Sequence, residues 1–299
     1  MHRPTKLITR RDFIRTGSCV AMGSLLGAPM IAQPADAATG KSRVVLIRDA
    51  KIFNLLGSIR RDRMEAMLDE AVKVLFDEPD ASSAWRKVIR PGDIVGIKSN
   101  VWGPLATPAV LERAIINRAV AVGVSDRNIG VDDRGVRRNP VFKRSTALIN
   151  VRPMRTHHWS GLGTLIKNYV MFVPDPWAYH GRACESLGLI WKRLNLRRKT
   201  RLNILVMLTP LFHGIGPHHF SKRYLWPYRG LIVSTDPVAA DVVGARIIQA
   251  KRNEFFNKYR PISPPPRHIE VADKKFALGN SHPERIKLIK LGWDKDSLI

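Results

Sequence analysis

The stretch Leu148–Tyr169, LINVRPMRTHHWSGLGTLIKNY, joins an apolar run to a cluster of basic side chains. Residues 146–151 have the length and apolar content of a buried strand, and residues near 162–172 have helical spacing. The basic side chains after the strand are Arg152, Arg155, His157, His158 and, further on, Lys167. A strand that leads into a helix in this way indicates a βα unit, whose polar residues gather at the carboxyl end of the strand.

The rest of the chain repeats this alternation of apolar runs and helical spacing. Short runs rich in Val and Ile predict strands, and apolar residues at helical intervals predict the helices between several of them. The predicted strands are residues 43–48, 93–98, 128–131, 202–208 and 231–234, and the predicted helices are 62–76, 107–122, 183–195 and 237–250. Strands separated by helices predict an α/β fold: a mostly parallel sheet with helices on both faces, in a single compact mature domain over residues 38–299.

The first 37 residues have the pattern of an export signal rather than of a folded segment. Thr9–Arg15 reads TRRDFIR, a twin-arginine pattern, and a mildly apolar stretch over residues 17–31 follows it. Small residues at Ala35 and Ala37 have the spacing that a signal peptidase accepts. We therefore expect the twin-arginine translocase as a partner, a periplasmic or otherwise exported mature protein, and no transmembrane span in the mature chain.

The chain is strongly basic, with 50 Lys and Arg against 25 Asp and Glu and a formal net charge of +25. Such a charge attracts anions, and export argues against nucleic acid as the partner. The expected partners are an anionic small molecule or an anionic surface. Blocks of basic residues are also typical of solvated faces, so this second interpretation stays open.

Cysteine is too scarce for disulfide or cluster chemistry within the mature chain. Cys19 lies in the predicted signal, and Cys184 is the other cysteine of the sequence. One cysteine excludes an internal disulfide, and an iron–sulfur cluster held within the chain needs about four thiolates. Cys184 is expected to be a small buried residue. The cofactor remains unknown, and a divalent metal is compatible with the sequence.

Polar residues follow the predicted strands, where ligands collect in a parallel sheet. If these strand ends share one edge, they form a basic crevice that also contains histidine. The candidate catalytic residues are His157, Lys167 and Asp241, the candidate ligand-binding residues are Lys98, Asn100, Arg155, Asn168 and Asp236, and the candidate metal ligands are His157 and His213.

Several of these residues also have a purely structural interpretation. Lys98 and Lys167 follow apolar runs, so each needs a partner: a bound anion, or an internal ion pair with Asp236 or Asp241. Asp236 precedes Pro237 and would cap a helix on capping preferences alone. Asp241 lies in an apolar stretch and would need a cation such as Lys98 or a metal. His157 could also be a structural residue at a strand end.

The order and spacing of several motifs resemble the domain-of-unknown-function 362 family. These motifs are DIVGIKSN at 93–100, Thr107-Pro108, LINV at 148–151 leading to Arg155-Thr156-His157, LIKN at 165–168, Gly216-Pro217, DPVAAD at 236–241 and Leu278-Gly279. The resemblance covers most of the mature chain and implies an α/β domain. Some relatives carry ferredoxin-like cysteine clusters, which implies redox partners, although this chain has no such cluster.

Two classes of function follow from the residues and the resemblance together. The first is an exported enzyme with a redox link, which acts on an anionic or metal-bound ligand through His157. The second is a non-catalytic binding or assembly protein for other exported enzymes. The basic composition is compatible with both classes.

Overall fold

The computed structural model describes residues 40–214 and 219–299, and eight strands of this part of the chain form one sheet. The strands are β1 (Ser42–Arg48), β2 (Val95–Lys98), β3 (Ile129–Asp132), β4 (Ala147–His157), β5 (Gly161–Gly163), β6 (Thr200–Leu211), β7 (Gly230–Ser234) and β8 (Ile286–Gly292). Their order is β3-β2-β4-β6-β7-β1-β8, and the short β5 pairs with β4.

The sheet is mostly parallel, as the sequence predicts, but β7 runs against its neighbours. Strands β3, β2, β4 and β6 are parallel to one another, β7 is antiparallel to both β6 and β1, and β1 is parallel to β8. The carboxyl ends of β2, β3, β4 and β6 therefore share one edge, which we call the carboxyl edge. The carboxyl end of β7 lies at the opposite edge, which we call the amino edge.

Helices cover both faces of the sheet, which confirms the predicted fold class. They are α1 (Arg61–Phe76), α2 (Ala81–Val88), α3 (Ala109–Val122), α4 (Pro140–Arg144), α5 (Leu165–Asn168), α6 (Leu187–Arg193), α7 (Leu196–Lys199), α8 (Pro237–Phe256) and α9 (Arg267–Lys274). Helices α1, α2 and α3 bury side chains such as Leu68, Trp85 and Ile115 against one face. Helices α4, α5, α6, α8 and α9 pack on the other face, with Trp191 and Val243 fully buried.

The reversal of β7 corrects the expectation that Asp236 lies at the carboxyl edge. Asp236 follows β7 at the amino edge and caps α8, where its Oδ1 accepts hydrogen bonds from the backbone N–H groups of Val238 and Ala239, both at 2.9 Å. Its Oδ2 accepts from the Ser42 hydroxyl at 2.6 Å and the Asn280 N–H at 2.8 Å. Four donors therefore occupy this carboxylate, as the capping interpretation predicts.

The structure also differs from the sequence prediction around the basic segment. Strand β4 does not end at residue 151 but continues to His157, and all eleven of its residues are buried. The predicted helix at 162–172 is divided into β5, α5 and a 3₁₀ turn at Tyr169–Phe172. Gly161 has a φ of +70° and starts β5, which pairs antiparallel with β4. The basic side chains therefore lie on a buried strand rather than in a loop.

Residues 1–37, the predicted twin-arginine segment, lie outside the described part of the chain. Within 40–214 and 219–299, no helix is both long enough and apolar enough to cross a membrane. The described residues all fall in one compact unit, Gln33–Ile299.

Candidate functional site

The first part of the site is a buried ion pair at the ends of β2 and β3. Lys98 is fully buried, and its Nζ lies 2.5 Å from Asp133 Oδ1 and donates to the Ser99 carbonyl at 2.7 Å. Burial lowers the pKa of Lys98 to about 8, although Asp133 opposes this change. The second oxygen of Asp133 accepts from the Val101 N–H at 3.0 Å. One acid thus neutralises Lys98 and fixes the chain that follows β2.

Asn168 connects this ion pair to β4. Its Nδ2 donates to Asn150 Oδ1 at 2.9 Å, to the Val151 carbonyl at 3.0 Å and to the Lys98 carbonyl at 3.2 Å. Its Oδ1 lies 3.4 Å from Lys98 Nζ. Because Asn168 ends α5, this network fixes α5 against the ends of β2 and β4.

Arg155 extends the network along β4. Its Nη1 donates to Asn100 Oδ1 at 2.9 Å, and its guanidinium lies 4.5 Å from the centre of the Trp102 ring. Its Nε is buried without a hydrogen-bond partner in the described part of the chain. Burial lowers the pKa of Arg155, and the charge of Arg152 lowers it further.

Arg152 is the least satisfied cation of the site. Its side chain is 3% exposed, its Nε has no hydrogen-bond partner, and it forms no salt bridge with any residue in 40–214 or 219–299. A Cβ added to Gly163 would lie 2.8 Å from Arg152 Nη2, so β5 passes close over the guanidinium. Burial lowers the pKa of Arg152 to about 10, although the charges of Asp133 and Asp241 oppose this change.

Lys167 is a second buried cation without an acidic partner among the described residues. Its Nζ lies 2.8 Å from His180 Nε2 and 3.7 Å from the Cys184 sulfur. His180 Nδ1 lies 2.8 Å from the Pro176 carbonyl, which makes Nδ1 the donor and leaves Nε2 to accept from the lysine. Burial lowers the pKa of Lys167 to about 8. Neither Asp236 nor Asp241 forms the ion pair with Lys167 that the sequence suggests.

His157 lies beside these cations and is held neutral. Its Nδ1 accepts from the Trp159 N–H at 3.3 Å, so the ring proton of the neutral form is on Nε2. Burial lowers the pKa of His157, and the charges of Lys167, Arg152 and Arg155 lower it further. A neutral His157 can donate a hydrogen bond from Nε2.

Asp241 supports the site from α8, without the cation partner that the sequence suggests. Its two oxygens accept from the backbone N–H groups of Leu165 at 2.9 Å and Ile166 at 3.0 Å. Burial raises the pKa of Asp241 to about 7, although these two N–H groups oppose the change. Asp241 therefore positions the first turn of α5 and, through it, Lys167 and Asn168.

His213 has a different environment from His157. Its Nδ1 accepts from Arg252 Nη1 at 2.9 Å, and burial followed by the charge of Arg252 lowers its pKa. Among the described residues, no group of three or more His, Cys, Asp or Glu side chains could hold a metal ion. Metal binding by His157 and His213 stays a prediction.

The buried charges of the site do not balance. Its cations are Lys98, Arg152, Arg155 and Lys167, and its acids are Asp133 and Asp241. Counted at their ordinary charges, the four cations exceed the two acids by two positive charges, in a region with almost no contact with solvent. Buried charges are costly unless they are paired, so this arrangement is suited to an anion that enters from outside the described fold.

Sequence reasoning missed several residues that build the site. Asp133, Asn150, Arg152, His180 and Cys184 belong to it but are absent from the predicted set. Asp133 and Arg152 each follow a predicted strand, and this position in the sequence is the signal that could have added them to the candidates. His180 and Cys184 contact Lys167 although they lie 13 and 17 residues further along the chain. Helix and strand periodicity does not predict contacts of this kind.

The family described as "Domain of unknown function (DUF362)" matches residues 124–246, which confirms the resemblance over that range. The range contains Asp133, the whole of β4, α5 and Asp241, but not Lys98 or Asn100. No curated protein matches the chain, and no solved structure does.

Proposed function

We propose that this DUF362 chain binds a small anionic ligand at the cation cluster formed by Lys98, Arg152, Arg155 and Lys167. The observation that carries the proposal is the buried Arg152 guanidinium, whose Nε has no hydrogen-bond partner and which forms no salt bridge in the described part of the chain. A guanidinium presents a planar set of N–H donors that matches a carboxylate or phosphate. A bound anion would supply the negative charge that the described fold lacks.

The chemistry around the anion supports acid–base work by Lys167 rather than by His157. A lysine with a pKa of about 8 can hold or release a proton near neutral pH. His157, whose pKa is lowered, stays neutral and would donate a hydrogen bond to the ligand from Nε2. In this proposal Arg152 and Arg155 hold the charge of the ligand, and Asp241 positions Lys167. Without a proton transfer step, the same site would be a binding module, the alternative that the sequence also leaves open.

The Lys167→Met substitution tests the proposal. Because no acid pairs with Lys167, removing its buried charge should leave the ligand-free protein as stable as before or more stable. Thermal melts with phosphate, sulfate and small carboxylates should then show stabilisation of the wild type and a much weaker response of the variant. A ligand at about 100 times its dissociation constant adds roughly 2.7 kcal/mol to the free energy of unfolding.

The matched control for this experiment is Lys258→Met, which removes an exposed lysine and should change neither stability nor the response to anions. A wild type whose melting temperature is the same with every anion, together with a strongly destabilised Lys167→Met protein, would contradict the proposal.

The anion response should also depend on pH. Lys167 has a pKa of about 8 in the folded protein, whereas an unperturbed lysine has one of 10.5. The unfolded chain therefore holds this proton more tightly between those two values, and the contribution of Lys167 to ligand-free stability increases as pH rises from 8 to 10.5. Anion binding should instead weaken above about pH 8, because Lys167 loses its positive charge there.

Two sets of melts between pH 6 and 10, with and without phosphate, would measure these opposite slopes. In Lys167→Met, the part of each slope that comes from Lys167 should be absent. An anion response that grows above pH 8 in the wild type would argue against an ammonium ligand at this position.

A further inference from the structure

A second group of cations lies at the amino edge of the sheet, opposite the cation cluster. Helix α4 ends at Arg144, three residues before β4, and α7 ends at Lys199, directly before β6. Strands β4 and β6 are parallel neighbours, with Leu148 paired to Thr200. The segments that lead into them carry Lys143, Arg144, Lys192, Arg193, Arg198 and Lys199, which we call the amino-edge basic surface.

These six cations form a dense group without acidic partners among the described residues. None of the six forms a salt bridge with a residue in 40–214 or 219–299, and five are exposed while Lys199 is half-buried. By contrast, the exposed cations Lys87, Arg267 and Lys274 pair with Glu78, Glu185 and Glu270. The stretches 134–146 and 186–201 contain no Asp or Glu. These two segments therefore supply positive charge and no negative charge of their own.

An exposed leucine lies within this surface. Leu194 is 42% exposed and directly follows Lys192 and Arg193, whereas the nearby Ile190, Trp191 and Leu196 are buried in the core. A purely electrostatic partner, such as an acidic polysaccharide, gains little from a leucine. A lipid surface accommodates both groups, since cations meet the anionic headgroups and an apolar side chain enters the boundary of the acyl region.

We propose that the amino-edge basic surface docks on a bilayer that contains anionic lipid, with Leu194 entering the headgroup region. Docking at this edge would turn the carboxyl edge, and with it the cation cluster, away from the bilayer. The cation cluster could then exchange its ligand with the aqueous phase while the protein is bound to the membrane.

Vesicle binding by two matched triple variants tests this proposal. The first carries Lys192→Gln, Arg193→Gln and Arg198→Gln, and the control carries Lys87→Gln, Arg267→Gln and Lys274→Gln. Both variants lose three positive charges and keep residues 1–39 unchanged. Any contribution of net charge or of that segment to vesicle binding is therefore the same in both. Each cation near an anionic surface contributes about a fivefold change in affinity, so the first variant should bind phosphatidylglycerol vesicles roughly a hundredfold more weakly than the control.

Leu194→Ser distinguishes a lipid surface from other polyanions. We expect it to weaken vesicle binding several-fold and to leave binding to heparin, an anionic polysaccharide, unchanged. Vesicles of phosphatidylcholine alone should bind none of the proteins appreciably. Equal vesicle binding by the two triple variants, or binding to heparin but not to vesicles, would overturn the proposal. Circular dichroism of each variant confirms that the fold is retained.

Discussion

Asp133→Asn should lower the free energy of unfolding by about 3–5 kcal/mol, because it leaves the buried ammonium of Lys98 without its counter-ion. The pair is inaccessible to solvent on the Lys98 side, and Asp133 is the acid bonded to that nitrogen. The asparagine keeps an oxygen that can accept from the Val101 N–H, so the main change is the loss of negative charge. Urea unfolding at pH 7 measures the effect.

Two further variants show whether the loss comes from the stranded charge. In the double variant Lys98→Met with Asp133→Asn, the uncompensated cation is gone, and most of the lost stability should return. Asp62→Asn removes an acid from the exposed pair with Arg60, and it should change stability little because water screens both charges. A double variant as unstable as Asp133→Asn alone would mean that packing, and not charge, explains the loss.

Local periodicity in the sequence predicts most of the strands and helices, but it does not predict the direction of each strand in the sheet. Apart from the short β5, every strand before β7 fits one parallel pattern, and nothing in the residues Gly230–Ser234 distinguishes an antiparallel strand from a parallel one. Its direction is set by the pairing with β1, a strand almost 190 residues earlier in the chain. That one reversal moves Asp236 from the predicted crevice to the opposite edge.

Most of the candidate residues lie together at the carboxyl edge, as polar residues at the ends of parallel strands should, but several of their partners differ from those that the sequence predicts. Lys98, Asn100, Arg155 and Asn168 share one hydrogen-bond network, as expected from strands whose carboxyl ends share an edge. The partners of Asp241 are backbone N–H groups 75 and 76 residues away, which a search for opposite charges cannot identify. Backbone donors have no signature in side-chain composition.

The buried basic segment of β4 departs from the residue pattern that is usual for a central strand. Apolar residues are expected on a central strand, and the polar residues 152, 155 and 157 therefore suggested that the strand had ended. The structure keeps the strand continuous and buries these side chains. Such violations of local rules concentrate at functional sites, because a ligand can supply the missing compensation.

Arg152→Met follows from this argument and should separate stability from ligand binding. The guanidinium is desolvated and forms no salt bridge in the described part of the chain. Its replacement by an apolar side chain of similar length should therefore leave unfolding in anion-free buffer unchanged or make it up to about 4 kcal/mol less favourable. The anion would lose two charge-assisted hydrogen bonds of about 1.5 kcal/mol each, which corresponds to roughly a hundredfold weaker binding.

Arg201→Met is the matched comparison, because Arg201 donates to both oxygens of Asp93 at 2.6 and 3.0 Å. Removing that arginine strands a buried carboxylate and should destabilise the protein, while the anion response persists. Thermal melts and phosphate titrations should therefore give opposite results for two arginines on neighbouring strands. Arg152→Met should keep its stability and lose phosphate binding, whereas Arg201→Met should lose stability and keep phosphate binding. If Arg152→Met is as destabilising as Arg201→Met and binds phosphate like the wild type, Arg152 is a structural residue and the ligand-binding proposal loses its main support.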